Sequence, residues 1–163
     1  MEYTRIILTD KERAVDTKNH SEGQMMRVIY TKIVGDLFHS GHVNFLKEAR
    51  NRGDRLVVHV VDDVRVEIYK RRPVMSQQER IEVVSACRWV DEVVEEGPRE
   101  ITRHFLDTGG YAAYAFGYAN EIEKAAKLKD CRDLPTDKIE IIPYTHEIST
   151  TQIIHRILGN QSR

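Results

Sequence analysis

Two imidazoles three residues apart, His39 and His42, stand in the run Gly35-Asp36-Leu37-Phe38-His39-Ser40-Gly41-His42, between a β-rich segment and a helical pattern. A helix start leaves backbone N–H groups unpaired and carries a partial positive charge, so it attracts phosphate. Imidazole donors beside it, with Gly41 allowing close backbone approach, supply what phosphoryl transfer needs: hydrogen bonds aimed at non-bridging oxygens as charge shifts onto them. The same residues admit a plainer reading, one histidine capping the helix and the other standing at the surface. The run lacks the G-x-G-x-x-G of a dinucleotide site and the G-K-[ST] of a P-loop. A zinc site would need a third ligand, and the two cysteines, Cys87 and Cys131, lie on other elements without CxxC spacing.

Further groups able to meet an anion are scattered along the chain. Lys70-Arg71-Arg72 is a basic run, which by itself also reads as solvated surface. Arg80 and Arg88 sit in helical patterns near Glu79, Glu82 and Asp91, where surface pairing is the ordinary outcome. Ser149 and Thr150 open the last helical pattern. As N-caps they present both hydroxyls and N–H groups, so capping and anion binding are compatible there.

These residues need a scaffold, and 163 residues are enough for one compact domain. Hydrophobic residues make up 40% and charged residues 31%, the mixture of a soluble globular protein. Lys plus Arg (25) nearly balance Asp plus Glu (26), so no global field draws the molecule to nucleic acid or to a membrane surface. Two thiols without a disulfide pattern, no long apolar run and a charged N-terminus place the expectation in the cytoplasm.

Residues 1–26 read as a loosely attached arm, 27–159 as the domain, and 160–163 as a tail or linker. Within the domain, Val28–Tyr30 with Ile33–Val34 is a first strand, followed by a helix from His42 to Arg52 that Gly53 stops. Leu56–Val61 is nearly continuously apolar, the pattern of a strand buried on both faces in a parallel sheet. A capping box at Ser76-Gln77-Gln78-Glu79 opens another helix, and Val90–Val94 is a third strand. Pro98 opens a helix ending at Gly109-Gly110. Tyr114–Gly117 is a fourth strand, Glu121–Lys129 a helix, and Ile139–Ile142 a fifth strand. A second capping box at Ser149–Gln152 starts a helix that runs to Leu158, with Gly159 as its cap. Strands alternating with helices predict an α/β, Rossmann-like, doubly wound five-stranded parallel sheet, whose ligand sits beyond the carboxyl ends of the strands.

With those elements in place, the chain from about Arg27 to Leu158 resembles the cytidylyltransferases of the HxGH nucleotidyltransferase superfamily, the glycerol-3-phosphate, choline-phosphate and ethanolamine-phosphate enzymes. Four segments in order carry the resemblance. They are Asp36–His42; Asp63 with Lys70, Pro73-Val74 and Glu79-Arg80; Arg88-Trp89-Val90-Asp91-Glu92-Val93-Val94; and Ile148-Ser149-Thr150-Thr151. The resemblance implies that His39 and His42 steady the α-phosphate of CTP and that Lys70 neutralises charge between triphosphate and acceptor. It places Val34, Gly35, Asp36, Phe38, Gly41, Arg88, Gly117, Ser149 and Thr150 around the nucleotide. Asp36, Lys70, Arg71, Tyr118 and His146 fall toward the acceptor. It further implies Mg²⁺ carried on the triphosphate, with no metal ligand from the protein, and a homodimer.

The pattern departs from the family at three places. The family's G-[TI]-F-D is here Ile33-Val34-Gly35-Asp36, with the glycine moved by two positions. Gly117 is followed by Tyr118-Ala119-Asn120 rather than by an acidic or amide residue. The R-T-x-G before I-S-T-T is replaced by Tyr144-Thr145-His146-Glu147, which leaves His146 or Arg88 to substitute for the arginine. The departures fall where base and acceptor belong, so the expected acceptor is unusual. The sequence is similar to the cytidylyltransferase domains fused to phosphoenolpyruvate mutase in fosfomycin biosynthesis, which implies 2-hydroxyethylphosphonate as acceptor and fusion to another catalytic domain. Three alternatives stay open: a phosphoalcohol cytidylyltransferase of the glycerol-3-phosphate, ethanolamine-phosphate or choline-phosphate type; an ATP-using adenylyltransferase; and a non-catalytic nucleotide-binding module.

Overall fold

A computed structural model describes residues 6–8, 26–145 and 147–160, with no side-chain account of 6–8 or 160. Its centre is a six-stranded sheet in the order β1-β4-β3-β2-β5-β6. The strands are β1 (Ile6–Leu8), β2 (Val28–Ile33), β3 (Arg55–Val60), β4 (Glu92–Val94), β5 (Ala113–Gly117) and β6 (Ile139–Ile142). Strands β2 to β6 are all parallel, as expected. One expectation is corrected: the segment read as a loose arm supplies β1, which pairs antiparallel with β4 in the register Ile6↔Val94. An apolar triplet, Ile6-Ile7-Leu8, is enough to add an edge strand where β4 would otherwise leave its backbone groups unpaired.

The helices are α1 (Ser40–Arg50), α2 (Asp63–Glu67), α3 (Gln77–Ser85), α4 (Arg103–Thr108), α5 (Glu121–Asp130) and α6 (Thr150–Asn160). Alternation along the strands divides the core. Ile29, Leu56, Val58, Val60, Val93, Ala113 and Ala115 meet Leu46 and Ala49 of α1 and Ile81 and Val84 of α3. Tyr30, Val57, Val94, Tyr114 and Phe116 meet Ile101, Leu106 of α4, Cys131 and Leu134. Both sheet faces are covered, which is why β3 carries an apolar run broken only by His59.

Several boundaries differ from the sequence reading. α1 begins at Ser40 rather than His42, because His39 caps it. α4 does not open at Pro98: Ile101 is fully buried, and Thr102 caps the helix by accepting from Phe105 N–H at 3.1 Å. The third strand is confined to residues 92–94. Gly159 lies inside α6 instead of capping it. α2 and a 3₁₀ turn at Thr136–Lys138 are additional.

The strand order reverses between β2 and β5. From β2 the chain proceeds outward through β3 to β4, then returns to place β5 and β6 on the other side. A crevice therefore opens at the carboxyl ends of β2 and β5, above Ile33 and Gly117. No helix among the described residues is long and apolar enough to cross a membrane.

Candidate active site

Beyond β2 the chain turns sharply into α1. Gly35 has φ 74° and Leu37 has φ 45°, both left-handed; glycine adopts this freely, whereas Leu37 needs its surroundings to hold it. Asp36, between them, supplies the hold. It is only 5% exposed, and its Oδ1 accepts from the N–H groups of Val74 and Met75, each at 3.0 Å. Its Oδ2 accepts from Arg71 Nη2 at 2.9 Å, and its backbone carbonyl accepts from Thr150 Oγ1 at 2.9 Å. Burial pushes the Asp36 carboxyl up, but Met75, Val74 and Arg71 together outweigh it and leave the group below its ordinary value. One carboxylate thus joins the loop after β2, the 71–75 segment and the start of α6.

Arg80 reinforces the same junction from α3. The sequence allowed it as a surface cation, yet it is fully buried. Its guanidinium donates to the carbonyls of Val34 and Met75 and pairs with Asp63 at the start of α2. A buried cation is tolerable only when its donors are satisfied, and three elements converge to satisfy this one.

The two histidines form a reciprocal cap. His39 is the N-cap of α1, and its Nδ1 accepts from Gly41 N–H at 3.1 Å. His42 reaches back, its Nδ1 accepting from His39 N–H at 3.2 Å. A nitrogen that accepts a hydrogen bond carries no proton, so each neutral ring holds its proton on Nε2. The rings lie with centroids 4.0 Å apart, and Phe38 stacks on His42 at 5.3 Å. Burial lowers the proton affinity of both. For His42, burial, then the neighbouring His39 and the charge of Lys70 against the opposing pull of Asp36, bring the pKa to about 4. At neutral pH the site presents two uncharged imidazoles with Nε2–H donors.

Gly41 is what permits the arrangement. A Cβ there would lie 2.9 Å from His39 Cε1 and 3.0 Å from its Nδ1, with Ile148 at 3.4 Å. The capping and phosphate-binding readings of the histidines are therefore not rivals: the caps use Nδ1 and leave Nε2.

An open cleft of about 1150 Å³ spreads from this point. It brings together most of the residues singled out by sequence: Val34, Asp36, His39, Gly41, His42, Lys70, Arg71, Gly117, Tyr118, Ser149 and Thr150 all line it. Lys70, exposed just after α2, lines the same cleft as the histidines. Ser149 caps α6, its Oγ accepting from Gln152 N–H at 3.2 Å, so the N-termini of α1 and α6 both open onto the cleft. Gly35 and Phe38 support it without lining it. Arg88 is not brought to it. This residue lies in the turn preceding β4, at the amino ends of the parallel strands, opposite the cleft. His146 lies outside the described residues.

Sequence reasoning missed the charged floor of the cleft, formed by Lys32, Asp62, Arg65, Arg99, Glu123, Lys127 and Asp130. One signal was available: Val28, Tyr30 and Lys32 alternate onto one face of β2, and a lysine ending a buried face is unusual. Adjoining the floor, the stretch of lining made by Gly117, Tyr118, Ala119, Pro143, Tyr144 and Thr145 has no charged side chain. Among the described residues, no three His, Cys, Asp or Glu side chains are grouped to hold a metal ion.

Residues 36–156 match the family described as Cytidylyltransferase-like. The ethanolamine-phosphate cytidylyltransferase of Dictyostelium discoideum is 37% identical over 132 residues, covering 80% of this chain and 36% of that protein. The FAD synthase of Thermococcus sibiricus is 35% identical over 135 residues, covering 80% of this chain and 91% of that protein. This chain spans about a third of the length of the ethanolamine-phosphate enzymes it matches. A crystal structure of the lipopolysaccharide core biosynthesis protein from Thermoplasma volcanium GSS1 superposes with TM-score 0.57 at 22% identity, covering 74% of this chain and 98% of that one, a likeness of fold.

Proposed function

Because this chain belongs to the cytidylyltransferase-like family, we propose that it transfers the cytidylyl group of CTP to a small acceptor bearing a phosphate- or phosphonate-type oxygen. The observation that carries this reading is the reciprocal cap, which leaves two Nε2–H donors beside the free N-terminus of α1. An acceptor oxygen attacks the α-phosphorus in line; the bond from that phosphorus to the bridging oxygen of the β-phosphate breaks, and pyrophosphate leaves. His39 and His42 donate to the non-bridging α-oxygens as negative charge builds there. Lys70 offsets charge between acceptor and triphosphate. The N-terminus of α6, with Ser149 and Thr150, receives the leaving phosphates. Mg²⁺ arrives on the triphosphate as part of the substrate; both Asp36 oxygens are engaged by internal donors. The uncharged stretch of lining along β5 and β6 takes the nucleoside, and the charged floor is left for the acceptor.

Among acceptors, 2-hydroxyethylphosphonate is the one we favour, with ethanolamine phosphate and glycerol 3-phosphate as alternatives. The test is pyrophosphate release by the purified chain with Mg²⁺, CTP or ATP, and a panel of phosphate and phosphonate acceptors. We expect release with CTP that disappears in the His39→Ala, His42→Ala double variant. Undiminished release from that variant refutes the assignment of the imidazoles. A second reading, adenylyl transfer, draws support from the 91% coverage of a FAD synthase, whose product is an adenine dinucleotide. Release with ATP but not CTP would select it.

A further inference from the structure

The transfer chemistry uses the histidines, Lys70 and the helix N-termini, but not the cations on the floor. Three of these are built to one plan. Lys32 Nζ donates to the Arg99 carbonyl at 2.6 Å and to Asp130 Oδ2 at 3.3 Å. Lys127 Nζ donates to the Gly117 carbonyl and to Glu123 Oε1, the latter at 3.2 Å. Arg65 donates from Nη1 to the Gly97 carbonyl at 2.8 Å and pairs through Nε with Asp62 Oδ2 at 3.2 Å. Each cation is held by one carbonyl and one carboxylate, so its side chain is positioned before any ligand arrives.

The donor inventory leaves capacity on the cations. A lysine ammonium has three N–H donors and an arginine guanidinium five. Two are used in each case, which leaves at least one for the cleft that all three side chains line. Two of the three carboxylates are engaged through both oxygens, while Asp130 meets Lys32 through Oδ2. Glu123 Oε2 accepts from Ala119 N–H at 2.8 Å, and Asp62 Oδ1 from Arg65 N–H at 2.8 Å, so both oxygens of each are engaged. The positive groups also feel one another: burial holds Lys127 below the ordinary lysine value, and the charges of Lys70 and Lys32 add to this against the pull of Glu123. The floor therefore offers donors and positive field to whatever reaches it.

We propose that this floor seats the far end of the acceptor and selects a tail ending in an oxygen, hydroxyl or carboxylate, over one ending in an ammonium group, with Lys32 as the selecting residue. The inference rests on reading the cleft as a nucleotidyl-transfer site. An ammonium tail would meet three cations, with Asp62 and Glu123 engaged through both oxygens and Asp130 paired with Lys32 through Oδ2. A hydroxyl or carboxylate tail would accept the spare N–H of Lys32, the least exposed of the three at 16%. Ethanolamine, the acceptor moiety in the printed names of several relatives, ends in an ammonium group at neutral pH, so this chain would differ from them in the group it admits.

The experiment compares 2-hydroxyethylphosphonate with 2-aminoethylphosphonate, which differ only in the tail atom. Pyrophosphate release from Mg·CTP gives kcat/KM, and titration calorimetry with each phosphonate gives binding irrespective of turnover. The expected result is a preference of at least about tenfold for the hydroxyl compound. Lys32→Met should reduce that ratio toward one, mainly by weakening the hydroxyl compound, and Lys32→Arg should retain it. Arg65→Gln, at the more exposed rim of the same floor, should reduce the ratio in the same direction, which guards against misfolding of Lys32→Met. Equal or tighter binding of the aminoethyl compound by the wild type overturns the inference, as does a Lys32→Met variant that folds and weakens both compounds equally. Absence of pyrophosphate with every nucleotide and acceptor overturns the proposed transfer instead. In that event a hydroxyl preference in calorimetry that Lys32→Met abolishes still upholds the selective floor.

Discussion

Replacing Gly41 by alanine should separate catalysis from stability. The added Cβ would lie 2.9 Å from His39 Cε1 and 3.0 Å from Nδ1, where ordinary contact begins at 3.4 Å. Ile148 closes the other side at 3.4 Å, so the imidazole has to retreat by about 0.5 Å to regain ordinary contact. That movement stretches the 3.1 Å bond from Gly41 N–H and swings Nε2 off the α-phosphate. A misplacement of about 1 Å costs roughly 100-fold in rate, so half of it should cost roughly tenfold, about 1.4 kcal/mol of barrier. Stability responds differently. Weakening a helix N-cap costs about 0.5–2 kcal/mol, whereas alanine in place of an early helical glycine contributes up to about 1 kcal/mol. The net change should stay within about 1 kcal/mol. Pyrophosphate release and urea denaturation on the same preparations decide the matter. Near-wild-type turnover, or a loss of turnover that merely follows loss of folded protein, refutes the argument that the imidazole position is what Gly41 protects.

Three further outcomes follow from the same structure. His42 and His59 are both held near pKa 4, chiefly by burial, against 6.5 when unfolded, so the unfolded chain binds more protons between those values. Their stability contribution is complete above about pH 6.5 and is lost as pH falls toward 4. Melting temperatures should drop between pH 7 and 4.5, and His59→Leu should flatten part of that drop. His59 is fully buried with neither ring nitrogen bonded, so an apolar replacement forfeits no hydrogen bond; a steeper drop in the variant would refute this. Arg80→Met strands Asp63 and the carbonyls of Val34 and Met75, and should cost about 3–5 kcal/mol in urea denaturation; a loss under about 1 kcal/mol would refute its bridging role. Lys70→Met, at an exposed position, should leave stability within about 0.5 kcal/mol while lowering kcat/KM roughly 100-fold or more; unchanged kcat/KM would remove Lys70 from the reaction.

Much of this protein was legible without coordinates because it is written in local patterns. The apolar run at 56–61 predicts a strand covered on both faces, and β3 is that strand. The capping box at Ser76 and Glu79 is formed as read, each side chain meeting the other's backbone N–H. The H-x-x-H spacing at a helix start identified the two imidazoles, since i and i+3 share one face of the first turn. Local signals also misled: Pro98 opens no helix and Gly159 caps none, because burial of Ile101 and continued helical bonding decided those ends.

Tertiary structure alone determined how far-separated residues meet. That Asp36 would spend its carboxylate on residues 71, 74 and 75, and that Arg80 would be buried beneath the same loop, depends on contacts spanning 35 to 46 positions. The helical pattern with acidic neighbours allowed Arg80 as a helix-surface cation, whereas it is fully buried. The sheet order sent Arg88 to the amino ends of the strands and gathered Lys32, Arg65 and Lys127, from three different elements, under one cleft. Sequence spacing encodes which groups share a helix turn or a strand face; only chain crossings between elements decide which charges face one another across water.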